Sequence, residues 1–107
     1  MYIRIQDQTI RFRISRNEAE DLVTGHILCA SVKLSVNVKL AYQVQMLDDI
    51  NRFEYSEVEN KICLSVNRER LIMELSNGPS KKGVIFDHSI AEQTISVSLE
   101  INLKNSQ

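Results

Sequence analysis

Three arginines in the opening stretch MYIRIQDQTIRFRIS carry the most suggestive polar chemistry in the chain. Arg11 and Arg13 alternate with Ile10, Phe12 and Ile14, and Arg4 stands between Ile3 and Ile5. In extended backbone, each arginine therefore points away from the apolar face of its strand. If the two strands pair, Arg4, Arg11 and Arg13 share one surface, where planar guanidinium forks could grip a carboxylate, a phosphate or a partner protein. The plainer reading of the same row is a solvated sheet face whose arginines pair across strands with Glu54, Glu57 or Glu59.

A second set, His26, Cys29, Cys63 and His88, supplies enough soft ligands for one zinc ion. Only His26 and Cys29 are close in sequence, no second close pair completes a site, and Asp87-His88 falls at the expected end of a strand. Neither a metal nor a cofactor is expected. Catalysis would draw on the same histidines with Asp87, the cysteines and scattered serines. A nucleophile needs a base within hydrogen-bond reach and a group that stabilises developing charge, and no spacing here assembles them. Asp48-Asp49 reads as a turn rather than as paired acid and base. Gly78 and Gly83 have the spacing of a phosphate-binding loop, but Val84 and Ile85 stand where that loop needs Lys and Ser or Thr. These observations lean away from an enzyme.

The charge balance narrows the partners. Thirteen basic and 14 acidic residues give a net charge of −1 and are mixed along the chain. This argues against a nucleic acid or a membrane surface, each of which calls for a basic surplus or a basic block. No apolar run is long enough to span a membrane, and MYIRIQDQ lacks the regions of a secretion signal. Two cysteines without a framework of spacings fit a reducing compartment, so a cytoplasmic location is expected.

The elements that must position these residues are mostly strands. From Val32 to Met46 the apolar residues fall on every second position, and the pattern returns as Ile95, Val97, Leu99, Ile101 and Leu103. An unbroken strand from Val32 to Met46 would span about 50 Å, long for a small domain. The alternation never changes parity, so a two-residue hairpin is disfavoured. A three-residue loop at Ser35-Val36-Asn37 keeps parity and joins arms over about 27–34 and 38–46, with Asn37 able to adopt the left-handed conformation. A single long bent strand is the alternative. Further strands are expected over Tyr2–Ile5, Thr9–Ile14, Arg52–Glu57, Lys61–Val66 and Val84–His88. Ser15 and Glu18 form a capping box that opens a helix ended by Gly25. Asn67 caps a second helix, which Asn77-Gly78-Pro79 stops. SNGPSKKG, from Ser76 to Gly83, reads as an exposed turn.

TIRFRISRNE and KICLSVNRER superpose, Ile10 on Ile62, Phe12 on Leu64, Ile14 on Val66 and Ser15 on Asn67. The chain therefore reads as pseudo-duplicated ββαββ halves, about 1–47 and 52–103, sharing one core in a single domain over 1–107. The seam Leu47-Asp48-Asp49-Ile50-Asn51 is too short and too apolar to be a free linker. The expected fold is β-rich α+β: one mostly antiparallel eight-stranded barrel or two-layer sheet with two short helices. The opening MYIRIQDQTIRFRIS-x-x-E, Leu40-Ala41-Tyr42 and the alternating apolar end resemble a family of small bacterial proteins of unknown function. That resemblance implies no activity and no site. The function stays unknown at this stage, and the leading class is a non-enzymatic protein-interaction or self-associating module. It would form a homo-oligomer or bind a protein through an edge strand, with Ile95 to Leu103 the candidate edge. The alternative is a small-ligand or anion-binding protein that uses the arginine row.

Overall fold

The computed structural model describes residues 1–76 and 83–102. Its elements run β1 (Tyr2–Gln6), β2 (Thr9–Ser15), α1 (Arg16–Val23), β3 (Leu28–Lys33) and β4 (Lys39–Leu47), then β5 (Arg52–Ser56), β6 (Lys61–Asn67), α2 (Arg68–Ser76), β7 (Val84–Ile90) and β8 (Gln93–Asn102). The fold is thus β-rich α+β, and each strand and helix expected from alternation and caps is present. The helix stop at Asn77-Gly78-Pro79, most of SNGPSKKG and Leu103 lie outside the described residues.

The long alternating run is broken where parity required. The Leu34 amide donates to the Val38 carbonyl at 2.8 Å and closes Ser35-Val36-Asn37 as a three-residue loop. Asn37 is not left-handed, because the Ser35 amide also turns onto the Val38 carbonyl, at 3.1 Å, and the reversal is completed without such a residue. Left-handed backbone falls instead at Asn60, with φ 51° before β6, and at Asp7 and Ala91, each with φ 52° and each opening a two-residue hairpin loop. Primed turns, whose twist matches that of the flanking strands, need positive φ at that position.

The strands form two four-stranded sheets, in the orders β1-β2-β8-β7 and β3-β4-β6-β5. In each, two antiparallel hairpins are joined at the centre by a parallel pair, β2 with β8 in one and β4 with β6 in the other. Two expectations change here and one holds. The sheets do not close into a barrel: at the β5/β7 side they meet through side chains, with the Phe53 and His88 rings edge-on at 5.2 Å between centroids. The pairing is mostly antiparallel as expected, with one parallel pair at the centre of each sheet, because each sheet draws one hairpin from each half. And β8 is no edge strand, since β2 and β7 flank it and bury it so well that even Ser98, on its outer face, is buried. The edges are β1, β7, β3 and β5.

The core lies between the sheets and under the helices. Phe12, Ile14, Val97 and Leu99 meet Val44, Leu64 and Val66, and Ala19, Leu22 and Leu71 of the helices cover them, all essentially inaccessible to water. The helices start where the chain leaves β2 and β6. Ser15 accepts from the Glu18 amide at 3.1 Å, and the Glu18 carboxylate accepts from the Ser15 amide at 2.9 Å, closing the capping box. Asn67 accepts from the Arg70 amide at 3.0 Å and donates through Nδ2 to the Asp49 carbonyl at 2.8 Å. The second cap thereby pins the seam between the halves. Gly83, with φ 68°, enters β7 against the Leu99 carbonyl, where no Cβ would fit.

This topology sorts the molecule by ends. Both helices pack together where β2, β4, β6 and β8 finish. The four hairpin loops therefore gather at the opposite end, the hairpin end.

Candidate functional site

The arginine row lies on the outer face of the first sheet. Arg4 stands directly opposite Arg11 across β1 and β2, and Arg13 opposite Tyr2. Arg13 donates to the Tyr2 hydroxyl at 3.1 Å and lies 3.9 Å from the Glu100 carboxylate. The Tyr2 hydrogen bond leads in raising the guanidinium pKa further, with Glu100 adding a smaller share. Arg4 and Arg11 differ from it: among the described residues neither has a hydrogen-bond or ion-pair partner. With Gln6, Asp7 and Thr9 they line an open groove of about 250 Å³. The expected partners Glu54, Glu57 and Glu59 are not among its neighbours, because β1-β2 joins β8 and those glutamates belong to the other sheet.

The four soft ligands are dispersed. His26 closes the C-terminal turn of α1, with Nδ1 3.0 Å from the Thr24 hydroxyl. Cys29 and Cys63 share the outer face of the second sheet but sit on opposite sides of Gln43. Both thiols are free. Burial is the main influence on the Cys63 thiol and pushes its pKa up, so it is a poor nucleophile at neutral pH. His88 is not at a strand end as expected but inside β7, and its ring turns inward onto Phe53. Among the described residues no group of three or more His, Cys, Asp or Glu side chains could hold a metal ion.

The hairpin end brings together residues that the sequence left scattered. Ile5, Leu34, Val36, Tyr55, Val58 and Ile90 are all large, apolar and at least half exposed there, Val36 at 85% and Val58 at 98%. The β3-β4 hairpin runs past its parallel neighbour, since β6 begins only opposite Ala41, as the β7-β8 hairpin runs past β2, which begins opposite Ser96. The charges around this end are divided unevenly, with a basic excess on one side and an acidic excess on the other. Because β5 faces β7, the remaining edges β1 and β3 share the other side. That side carries Arg4, Arg11, Lys33 and Lys39, with Lys33 directly opposite Lys39, and one exposed acid, Asp7, in the β1-β2 loop beside the arginines. The β5/β7 side carries Glu57 and Glu59 in one loop and Asp87 and Glu92 in the neighbouring hairpin, all exposed. Lys61 is paired there with Glu59 at 3.5 Å.

The model of a family of unknown function, DUF7009, matches residues 1–104. The chain belongs to this family. The match takes in both sheets and both helices, so the architecture described above is that of a DUF7009 chain as a whole. No curated protein and no solved structure matches the chain. Among the described residues no helix is long and apolar enough to cross a membrane.

The arginines of this DUF7009 member were legible as a row, whereas the hairpin end was not. A signal was present in the sequence: Val36 and Val58 are branched apolar residues at the centres of turns, where no neighbour can cover them. Alternation alone gave Val36 the same weight as Val44 of the same run, which is wholly buried.

Proposed function

We propose that this protein is a non-enzymatic recognition module that binds a protein partner, or another copy of itself, through its hairpin end. One observation carries the reading: among the described residues the two most exposed large apolar side chains, Val36 and Val58, stand at hairpin tips with Ile5, Leu34, Tyr55 and Ile90 beside them, six side chains at least half exposed against four, Tyr2, Ile27, Ile50 and Met73, at the helix end. Apolar surface gathered in one place costs solubility unless something covers it. The β3 edge adds backbone groups. Leu34 bonds toward β4 and Ala41 bonds away from β3, to the Asn60 carbonyl at 3.0 Å, so Cys29, Ser31 and Lys33 direct their amides and carbonyls to the open side. An extended partner segment could add there as a strand. The reading takes 1–107 as one domain built from two related ββαββ halves. The free thiols of Cys29 and Cys63 support a reducing, cytoplasmic setting.

Cross-linking with mass spectrometry tests it. Links from Lys33 and Lys39 to a partner chain or a second copy are expected, and a Leu34→Asp/Val36→Asp variant of unchanged melting temperature should lose them. Links that map to the helix end, or that survive the variant, would sink the reading.

A second reading, anion binding, is favoured by the partnerless Arg4 and Arg11 beside their groove. Titration calorimetry with inorganic phosphate and with citrate checks it: binding that an Arg4→Gln/Arg11→Gln variant abolishes supports the site, and no heat from the unaltered protein removes it.

A further inference from the structure

We infer that the occupant of the hairpin end is a second copy of this chain, docked end to end about a two-fold axis, with the basic side of each copy on the acidic side of the other. The inference deepens the recognition reading and rests on it. Its first support is the charge pattern. Lys33 and Lys39 flank the β3-β4 tip, Arg4 and Arg11 lie on the first sheet of the same side with Asp7 beside them, and Glu57, Glu92 and Glu59, the last paired with Lys61, flank the tips on the β5/β7 side. A single end with a net basic side and a net acidic side is complementary to itself when it is turned over.

The symmetry then selects one arrangement. Two in-plane axes could bring two such ends face to face. The axis along the line joining the two sides stacks basic on basic and acidic on acidic, and like charges in juxtaposition oppose it. The axis across that line places each basic side on an acidic one and makes the contact isologous, as closed dimers require. Leu34 and Val36 of one copy then face Val58 and Ile90 of the other, and apolar surface exposed on each is removed from water.

A second observation points the same way. Arg4 opposite Arg11 and Lys33 opposite Lys39 are two like-charged cross-strand pairs on adjoining edges. Such pairs destabilise a sheet taken alone. Facing carboxylates from a second copy relieve the Lys33–Lys39 pair, whereas Arg4 and Arg11 already have Asp7 beside them in their groove. An anionic lipid surface or a nucleic acid would relieve the lysine pair too, but would be repelled by the acidic half of the same end.

Sedimentation equilibrium on the full chain tests the inference, with circular dichroism to confirm that every variant is folded. The dimer dissociation constant is expected to rise at least about tenfold between low salt and about 0.5 M salt, as screening shortens the reach of the charges. Lys33→Glu/Lys39→Glu and Glu57→Lys/Glu92→Lys should each weaken the dimer by about tenfold or more. An equimolar mixture of the two variants should recover the original affinity, because both contacts again join opposite charges. Three results overturn the inference: a monomer at every concentration, a dimer indifferent to both charge variants, or a mixture no tighter than either variant alone. The recognition reading is tested apart from these. A charge-indifferent dimer that Leu34→Asp/Val36→Asp breaks, or a monomer that still cross-links a foreign protein at Lys33 and Lys39, leaves that reading standing. A dimer indifferent to all three variants removes both.

Discussion

Glu18 shows how much one side chain does at the corner where β2 becomes α1. Its carboxylate accepts from the Ser15 amide and from the amino-terminal ammonium, both at 2.9 Å. Partial burial is the largest single influence and would raise its pKa. The donors of Ser15 and the ammonium together outweigh it and hold the carboxyl below its ordinary value of 4.5. The sign follows from linkage: a group whose folded pKa is depressed adds stability above its unfolded pKa and loses it as pH falls through the folded one. Glu18→Gln should therefore lower the urea midpoint at pH 7, and the two proteins should converge as the pH falls below the ordinary carboxylate value and through the lowered folded one, so that the carboxylate is protonated in both states. Midpoints that differ equally at neutral and acid pH would refute this assignment. The capping box was legible from Ser15 and Glu18 alone, because both partners lie within one turn. The partners of Arg13 were not, because Glu100 reaches it only through a strand pairing between opposite ends of the chain.

At the scale of the element, alternation tells which face of a strand is apolar but neither which strand lies beside it nor whether anything covers it. That is why the strands and the three-residue loop are legible in the sequence, while the place of β8 between β2 and β7 is not. Val36 and Val44 make the distinction measurable. Both belong to the run that starts at Val32, yet Val44 is fully buried in β4 between the sheets and Val36 is 85% exposed at the hairpin tip. Val44→Ala should cost about 2–3 kcal/mol, for lost transfer free energy and the cavity left behind. Val36→Ala should change stability by less than about 0.5 kcal/mol. Urea unfolding of the two variants decides between a shared structural role and the division argued here, since equal costs would mean that the tip is packed after all. A stability-neutral Val36 is also what an interaction surface requires: its apolar side chain contributes little to the folded monomer and remains available to a partner.

For the whole molecule, the decisive fact is how the sheets are shared. The first half supplies β1-β2 to one sheet and β3-β4 to the other, and the second half supplies β7-β8 and β5-β6 in the same crossed manner. Neither half alone can build a sheet of more than two strands, and isolated hairpins are marginal in water. Both parallel pairings, β2 with β8 and β4 with β6, join strands from different halves. Phe12 and Leu64, the side chains at the centres of the two sheets, are buried only because the other half covers them. A chain cut at the seam should behave accordingly. Residues 1–51 expressed alone should show no cooperative thermal transition, and neither should 52–107, whereas mixing the two should restore the β-rich circular dichroism spectrum and one transition. The uncut protein should unfold in a single step, with calorimetric and van't Hoff enthalpies in agreement. Two separate transitions, or a half that melts cooperatively by itself, would show that each half has its own core and would break the link between the crossed topology and a hairpin end shared by both halves.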